Sequence, residues 1–483
     1  MKKLISILLA LVMLLALNTT VFAASPQITV TDERVYDVYQ IFTGDLSDKT
    51  LSNIKWGKNG TGTTGTAVDE ATLTALANVN GSGKTDAEKL AVIEQYVNLS
   101  SEKFGQVKAG SPLTAAPGYY LFKDVTVLAA GQERSEYVVQ LVGDTTVTAK
   151  AGSPVPDKKV KEKNDSTGVE SDWQDSASYD VNDDVPFMLS GTVSDKLDNF
   201  NTYYYCFKDT LSKGLTLNAD SIKVYVAGHE STPFAKDTDY TVTSTTATDG
   251  TTTFEVKFTD LKGKANVTAG CKIVVEYTAK LNDQAVMGSA GNPNTLKIEY
   301  SNDPNGDSKG ETVDKEVKVY TFKLIVNKVD VESKPLTVAG FTLYKKIKNG
   351  ETENWVAVGA EQKGENMTTF TWERLDAGDY KLVETTTPAG YNTMADKEFT
   401  ITDSYKNDEN GVKIELETLI AGTGFTSDLT AGSVTTSIVN NKGTVLPETG
   451  GAGTKAMIAV GSFLALAAVV FLVTRRKMSV YED

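Results

Sequence analysis

Apolar and polar residues alternate along most of the chain, in short runs that are separated by Thr, Gly, Asp and Asn. Residues 254–258 and 273–277 show the pattern well, since every second side chain is apolar. A period of two predicts half-buried β-strands, and antiparallel strands of this kind form sandwiches. We therefore predict a mainly β protein of tandem immunoglobulin-like sandwiches.

One stretch has a helical period instead. Thr85 and Glu88 are spaced as a capping box, and Leu90, Ile93 and Val97 follow at helical intervals. Strand-like segments flank this stretch. The first domain is therefore predicted to be mostly strand with one short helix.

The N-terminus has the pattern of an export signal. Lys2 and Lys3 precede an apolar run over 4–17, and small residues follow at Ala23 and Ala24. A charged start, a short apolar core and small residues at the cleavage site are typical of a secretory signal peptide. We predict a signal peptide over 1–23.

Near the C-terminus, residues 456–473 are almost wholly apolar. A helix of that length spans roughly 27 Å, close to the ~30 Å hydrocarbon core of a bilayer. Arg475, Arg476 and Lys477 follow, and by the positive-inside rule they place the C-terminus in the cytoplasm. We predict a transmembrane helix over 456–473 with the rest of the chain outside.

Proline and composition divide the remainder. Pro154 and Pro156 mark a linker, and about 425 residues at ~100–200 per domain predict about three domains. The predicted boundaries are 24–151, 152–315 and 316–443, with a terminal anchor segment at 444–483.

The composition limits the chemistry. The formal charge of −15 argues against nucleic acid and anionic membranes as partners. His229 is the single histidine, and there are two cysteines, so we predict no metal, no cofactor and no His-based catalysis. Cys206 and Cys271 could form a disulfide or remain free thiols. No nucleophile–base pattern supports a secreted hydrolase.

Three strands of the third domain each place a polar residue in phase with apolar ones. These residues are Lys328, Glu384 and Asn440. Side chains two apart in a strand share a face, so all three should point into the core. Burying an unpaired charge costs several kcal/mol, so they should meet one another or be neutral.

The second domain repeats the order of lysine, acid and asparagine. Lys158, Asp209 and Asn302 are each in phase with apolar neighbours. The rival lysines and the rival acid, which fit the phase less well, are Lys159, Lys161 and Glu276.

Such clusters can react. Desolvation lowers the pKa of a lysine and raises that of an acid, so the amine becomes a neutral nucleophile and the acid a neutral donor. Attack on the asparagine carboxamide with loss of ammonia would form an amide. We predict the bonds Lys158–Asn302, assisted by Asp209, and Lys328–Asn440, assisted by Glu384. A merely hydrogen-bonded triad is the alternative in each domain.

These residues carry a resemblance to known families. The third domain resembles the collagen-adhesin B-type domain, in which the matching lysine and asparagine form an intramolecular isopeptide bond with help from the glutamate. The second and first domains resemble those of Gram-positive fimbrial backbone subunits. In the third domain, the likeness is carried by residues 324–330, 380–391 and 437–440. In the second domain it is carried by 207–216 and 300–304, and in the first domain by 39–42 and 56–57.

The C-terminal segment resembles a cell-wall sorting signal of Gram-positive bacteria. Its pentapeptide is Leu446, Pro447, Glu448, Thr449 and Gly450, followed by the apolar run and the basic tail. The resemblance implies that a sortase cuts between Thr449 and Gly450 and passes the threonine carbonyl to an amine. An ordinary single-pass membrane anchor is the alternative.

Backbone pilins of this kind take their acceptor amine from a lysine at the end of the first domain, often in a Tyr-Pro-Lys-Asn motif. That motif is absent here, and Lys150 is the nearest equivalent. Competing lysines are Lys159, Lys161 and Lys163.

The resemblance implies a structural protein rather than an enzyme: the backbone subunit of a covalently polymerised fimbria, secreted and anchored to peptidoglycan. Its implied partners are sortase, identical subunits joined head to tail, minor or tip pilins, and peptidoglycan. The alternative is a monomeric sortase-anchored adhesin that binds a host or microbial ligand.

Overall fold

Backbone pairing groups the strands into three successive units. The computed structural model describes residues 26–80, 83–84, 86–148, 154–304, 306–407, 414–443 and 452–478. The prediction of a mainly β protein with several sandwich domains is confirmed.

The first unit has a five-stranded sheet of order β3-β2-β6-β7 with β4 on β2, and a three-stranded sheet of order β5-β1-β8. Its elements are β1 (Gln27–Val30), β2 (Val35–Ser47), β3 (Thr50–Trp56), α1 (Glu70–Asn80), α2 (Asp86–Glu94), β4 (Gly105–Lys108), β5 (Leu113–Thr114), β6 (Gly118–Asp124), β7 (Glu136–Leu141) and β8 (Thr145–Val147).

The predicted helix is α2, and it buries Leu90 and Ile93; Thr85 of the expected capping box lies outside the described residues. Helix α1 was not predicted. Its N-cap is Asp69, whose carboxylate accepts from the backbone N–H of Thr72 at 2.8 Å. The signal for this helix was therefore present in the sequence.

The second unit is a sandwich with a large apolar core. A four-stranded sheet of order β15-β18-β13-β9 faces a seven-stranded sheet of order β12-β21-β19-β14-β17-β16, with β20 on β19. Its strands are β9 (Pro156–Val160), β10 (Lys163–Asn164), β11 (Val169–Glu170), β12 (Ser176–Ser178), β13 (Asp184–Thr192), β14 (Tyr205–Leu211), β15 (Leu215–Val226), β16 (Thr241–Thr246), β17 (Thr252–Phe258), β18 (Lys272–Leu281), β19 (Asn292–Ser301), β20 (Lys309–Glu311) and β21 (Lys315–Tyr320).

The position of strand β21 shows that the boundary between the second and third units lies later than predicted. It pairs with both β19 and β12, so the sheet of the second unit extends to Tyr320. The predicted division between 315 and 316 is therefore too early. The pattern of alternation continues from β21 into the next strand, and it carries no sign of the change of sheet.

The third unit packs a four-stranded sheet of order β26-β22-β31-β30 against a six-stranded sheet of order β24-β23-β27-β28-β29, with β25 on β23. Its strands are β22 (Phe322–Asp330), β23 (Gly340–Asn349), β24 (Thr352–Ala357), β25 (Gln362–Lys363), β26 (Thr369–Leu375), β27 (Gly378–Thr386), β28 (Lys397–Asn407), β29 (Ile414–Ile420), β30 (Phe425–Asp428) and β31 (Ser433–Asn440).

Helix α3 (Ala452–Met478) includes the predicted helix at 456–473. In the described part of the chain, no helix has both the length and the apolar character of a membrane span, and the span over 456–473 stays a prediction.

A loop of the first unit inserts into the second. Glu133 is 2% exposed; its carboxylate accepts from the hydroxyl of Ser194 at 2.5 Å and from that of Tyr203 at 3.1 Å. Burial raises the pKa of Glu133 to about 7. Next to it, the backbone N–H of Arg134 donates to the carbonyl of Asn302 at 2.8 Å. The two units therefore share buried polar contacts.

The second and third units meet at a buried lysine. The ammonium of Lys345, on β23, lies 2.5 Å from Asp180, 3.0 Å from Asp165 and 3.2 Å from Asp376. Burial acts to lower the pKa of Lys345, but the surrounding negative groups raise it overall. Since Asp165 and Asp180 belong to the second unit, this lysine joins the two units.

We predict that Lys345→Met destabilises this joint by about 3–5 kcal/mol, because it leaves the buried carboxylate of Asp376 and the partly buried carboxylates of Asp165 and Asp180 without their cation. Lys346→Met is the matched control on the same strand. Lys346 pairs with Glu353 at 2.8 Å on the partly exposed face, and solvent screens such pairs so that they contribute little to stability. The free energy of unfolding measured in denaturant distinguishes the two variants, and equal losses would contradict the prediction.

Candidate functional site

The third unit brings its first and last strands side by side. Strands β22 and β31 run parallel, with Lys328 opposite Ile438 and Asp330 opposite Asn440. Lys328 and Asn440 therefore share the inward face, two positions apart in register. Both are buried, at 0% and 1% exposure. The in-phase pattern of each strand accounts for this placement.

Glu384 reaches the pair from β27 in the facing sheet. Its Oε1 accepts from Nδ2 of Asn440 at 2.7 Å, and its Oε2 accepts from the backbone N–H of Met394 at 2.8 Å. The amine of Lys328 donates to the carbonyl of Ile438 at 3.2 Å. Burial lowers the pKa of Lys328, although the charge of Glu384 opposes this. The structure thus brings the three predicted residues together.

In the second unit, Lys158 on β9 meets Asp209 on β14 across the sandwich. The amine lies 2.5 Å from Oδ1 of Asp209, and both side chains are fully buried. Burial lowers the pKa of Lys158 to about 8, although Asp209 opposes this, and burial raises the pKa of Asp209. An apolar surrounding therefore favours the neutral forms of both groups.

The predicted asparagine of this unit is wrong. Asn302 follows the end of β19, where its Oδ1 accepts from the hydroxyl of Ser308 at 2.7 Å. In the ladder between β14 and β19, Asp209 lies opposite Leu296. Asn302 is six residues beyond Leu296, roughly 20 Å along the strand. It shares the inward face with the core but lies near the first unit.

Asn294 takes the place predicted for Asn302. It lies two residues before Leu296 on the same face and is 0% exposed. Its Nδ2 donates to the hydroxyl of Tyr277 at 2.6 Å, and that hydroxyl donates to Oδ2 of Asp209 at 2.5 Å. The cluster of the second unit is therefore Lys158, Asp209, Asn294 and Tyr277.

The rival residues lie outside this cluster. Lys159 pairs with Asp175 at 2.6 Å, and Lys161 pairs with Glu170 at 2.5 Å; both lysines are partly exposed. Glu276 accepts from the hydroxyl of Tyr225 on the outer face of its sheet. Strand phase correctly separated the buried lysine and acid from these neighbours.

The two clusters share one further feature. The carboxamide oxygens of Asn294 and Asn440 are both buried, and among the described residues neither has a hydrogen-bond partner. A buried orphan acceptor destabilises the fold by ~1–3 kcal/mol. In each unit an amine with a lowered pKa thus lies in a dry interior with an acid and a carboxamide, the groups needed for amide formation with loss of ammonia.

The described part of the first unit shows no comparable cluster. Its buried cation is Arg34, which donates to Asp124 at 2.7 Å. A guanidinium stays protonated and is not a nucleophile.

Neither cysteine is paired in the structure. Cys206 is buried and Cys271 is partly exposed, both as free thiols. One group of carboxylates in the described part of the chain lies close enough to hold a metal ion, namely Asp165, Asp180 and Asp376. The ammonium of Lys345 already lies within 3.2 Å of a carboxylate oxygen of each of them.

Two predicted sites lie outside the described residues. They are the pentapeptide 446–450 and the acceptor candidate Lys150.

Three families match successive parts of the chain. Residues 181–304 match the Gram-positive pilin backbone subunit 2, Cna-B-like domain, and residues 322–435 match a prealbumin-like fold domain. Residues 438–479 match the LPXTG cell wall anchor motif. The chain is a Gram-positive backbone pilin.

Known proteins agree with this assignment. The pilin is 26% identical over 407 residues to the trypsin-resistant surface T6 protein of Streptococcus pyogenes serotype M6, covering 70% of the pilin and 71% of that protein. The solved T6 backbone pilin, a modular three-domain structure, superposes with a TM-score of 0.51 at 18% identity, covering 88% of the pilin and 100% of that chain. The second likeness concerns the fold alone.

The pilin is thus a structural subunit of sortase-assembled pili. Its LPXTG anchor holds it at the cell wall of a Gram-positive bacterium, as the sorting signal predicted.

The corrected cluster gives a direct test. We predict that Asn294→Ala is lighter than its own sequence mass by one ammonia fewer than the wild type is, because the substitution removes the carboxamide that is expected to react in the second unit. Asn302→Ala is the matched control, since it deletes a buried in-phase asparagine of the same strand region. Intact mass distinguishes the variants. Loss of the bond in Asn302→Ala but not in Asn294→Ala would restore the original pairing.

Proposed function

We propose that the second and third units of this pilin each close an intramolecular isopeptide bond, Lys158–Asn294 and Lys328–Asn440. The observation that supports this is the repeated burial of a lysine amine with an acid and an asparagine carboxamide. The reaction occurs once in each unit, so the pilin is the substrate of its own folding chemistry and not an enzyme.

The bonds would act mechanically. In the third unit, β22 and β31 are parallel neighbours, and the sorting segment follows β31. Tension that enters along β22 and leaves along β31 would pass through an amide between Lys328 and Asn440. The hydrogen bonds of the sheet would then carry little of the load. In the second unit, the bond would join β9 to β19 across the two sheets.

The mass of the chain tests both bonds. We expect the processed chain, 24–449, to be lighter than its sequence mass by two ammonia molecules. Glu384→Ala should restore one of them, because it removes the acid that touches Asn440. Glu361→Ala is a suitable control, since Glu361 accepts from the hydroxyls of Thr385 and Thr386 beside the same strand. A wild-type chain of full mass would refute both bonds.

We propose further that the subunits join head to tail through Thr449 of one chain and Lys150 of the next, and that peptidoglycan supplies the final amine. Lys150 is supported by its position between β8 and the proline linker. The rival lysines Lys159 and Lys161 are engaged in ion pairs. Lys163 lies on β10, whose hairpin contacts the third unit through Ser166 and Lys346.

Lys150→Arg should abolish polymerisation, because a guanidinium does not replace the amine as nucleophile. Cell-wall extracts boiled in detergent should show a ladder for the wild type and a single wall-linked species for this variant. Lys163→Arg is the control and should keep the ladder. A wild-type extract that contains one discrete species would instead favour the monomeric adhesin, and a ladder in Lys150→Arg would assign the acceptor to another lysine.

A further inference from the structure

The acids of the two clusters reach their asparagines in different ways. In the third unit, the carboxylate of Glu384 contacts Nδ2 of Asn440 directly at 2.7 Å. In the second unit, the hydroxyl of Tyr277 lies between Asp209 and Asn294. Aspartate is one methylene shorter than glutamate, so the tyrosine hydroxyl occupies the position that the longer acid would reach.

The hydroxyl of Tyr277 contacts every reacting group of the second unit. It donates to Oδ2 of Asp209 at 2.5 Å and accepts from Nδ2 of Asn294 at 2.6 Å. The amine of Lys158 lies 3.5 Å away and can donate to it. Tyr277 therefore touches the nucleophile, the acid and the leaving group.

The aromatic ring is held firmly in this position. It stacks on Phe187 with ring centroids 5.3 Å apart and meets Phe254 edge-on at 4.9 Å. Burial raises the pKa of Tyr277 well above its usual value, so the phenol stays protonated and can donate. A fixed, neutral hydroxyl beside developing charge is what preorganised catalysis requires.

We propose that Tyr277 is a catalytic residue for formation of the Lys158–Asn294 bond, and that its hydroxyl relays protons between Asp209 and Asn294. This inference rests on the proposed isopeptide bond of the second unit. The third unit needs no such residue, because Glu384 contacts Asn440 directly.

The neutral amine of Lys158 attacks Cγ of Asn294, and a new C–N bond forms. One amine proton passes to Oδ1 of the neutral Asp209 carboxyl as Oδ2 gives its proton to Tyr277, and Tyr277 gives its own proton to the amide nitrogen that leaves. The bond from Cγ to that nitrogen then breaks and ammonia departs. Asp209 and Tyr277 end in the protonation states in which they began.

Tyr277→Phe tests the proposal, because it keeps the packed ring and removes the hydroxyl. We expect formation of the Lys158–Asn294 bond to slow by roughly 100-fold, as for the loss of a general acid or base. The measurement is the fraction of branched peptide at each site, by mass spectrometry of freshly purified and incubated protein. The Lys328–Asn440 bond serves as the internal reference and should stay complete.

Tyr205→Phe is the matched control. It also removes a hydroxyl from a fully buried tyrosine of the second unit, but that hydroxyl donates to the carbonyl of Thr192 instead. We expect normal bond formation in this variant. Equal rates in Tyr277→Phe and wild type would overturn the role of Tyr277, whereas absence of the branched peptide from the wild type would refute the bond itself.

A double variant tests whether the hydroxyl of Tyr277 is needed because the side chain of Asp209 is too short to contact Asn294. In Tyr277→Phe with Asp209→Glu, the longer acid should contact Asn294 without the hydroxyl, as Glu384 contacts Asn440. We expect the bond to form again, faster than in Tyr277→Phe alone. A double variant with a protease-resistant second unit and no bond would contradict the argument from reach.

Discussion

The architecture depends on lysine amines placed in dry interiors beside carboxamides. Water would keep such an amine protonated and unreactive, whereas the sandwich core lowers its pKa and leaves few partners other than an acid and an asparagine. In each cluster, the carboxamide oxygen of the asparagine is buried without a hydrogen-bond partner. The unreacted cluster therefore carries an energetic cost. Amide formation removes the buried amine and the unsatisfied contact together.

This constraint fits the absence of a disulfide between the two cysteines of the chain. The proposed amide between strands distant in sequence would not be broken by reducing agents and would link those strands covalently under tension. The joints between units add a different restraint. Glu133 fastens the first unit to the second, and Lys345 fastens the second to the third. The proposed cross-links would lie within units, whereas these contacts lie between units.

The sequence predicted much of this arrangement. Strand phase identified Lys328, Glu384, Asn440, Lys158 and Asp209 as buried, because a period of two fixes which face a side chain occupies. Phase does not fix the level along a strand. Asn292, Asn294 and Asn302 share one face, and only the pairing of β19 with β14 shows which of them lies beside Asp209.

Tyr277 was missed for a related reason. Its phase marked it as an ordinary core aromatic, and its role appears only when β18 is placed opposite β14 and β19. Helix α1, in contrast, had a cap and spaced apolar residues that the sequence already displayed. Long-range register is thus the information that local pattern lacks.

A crystal structure of the processed chain at atomic resolution tests the central claim most directly. The account predicts continuous density from Nζ of Lys328 to Cγ of Asn440, and from Nζ of Lys158 to Cγ of Asn294, each at an amide bond length of ~1.33 Å. Separate side chains at non-bonded distances in both units, with intact carboxamides, would contradict it.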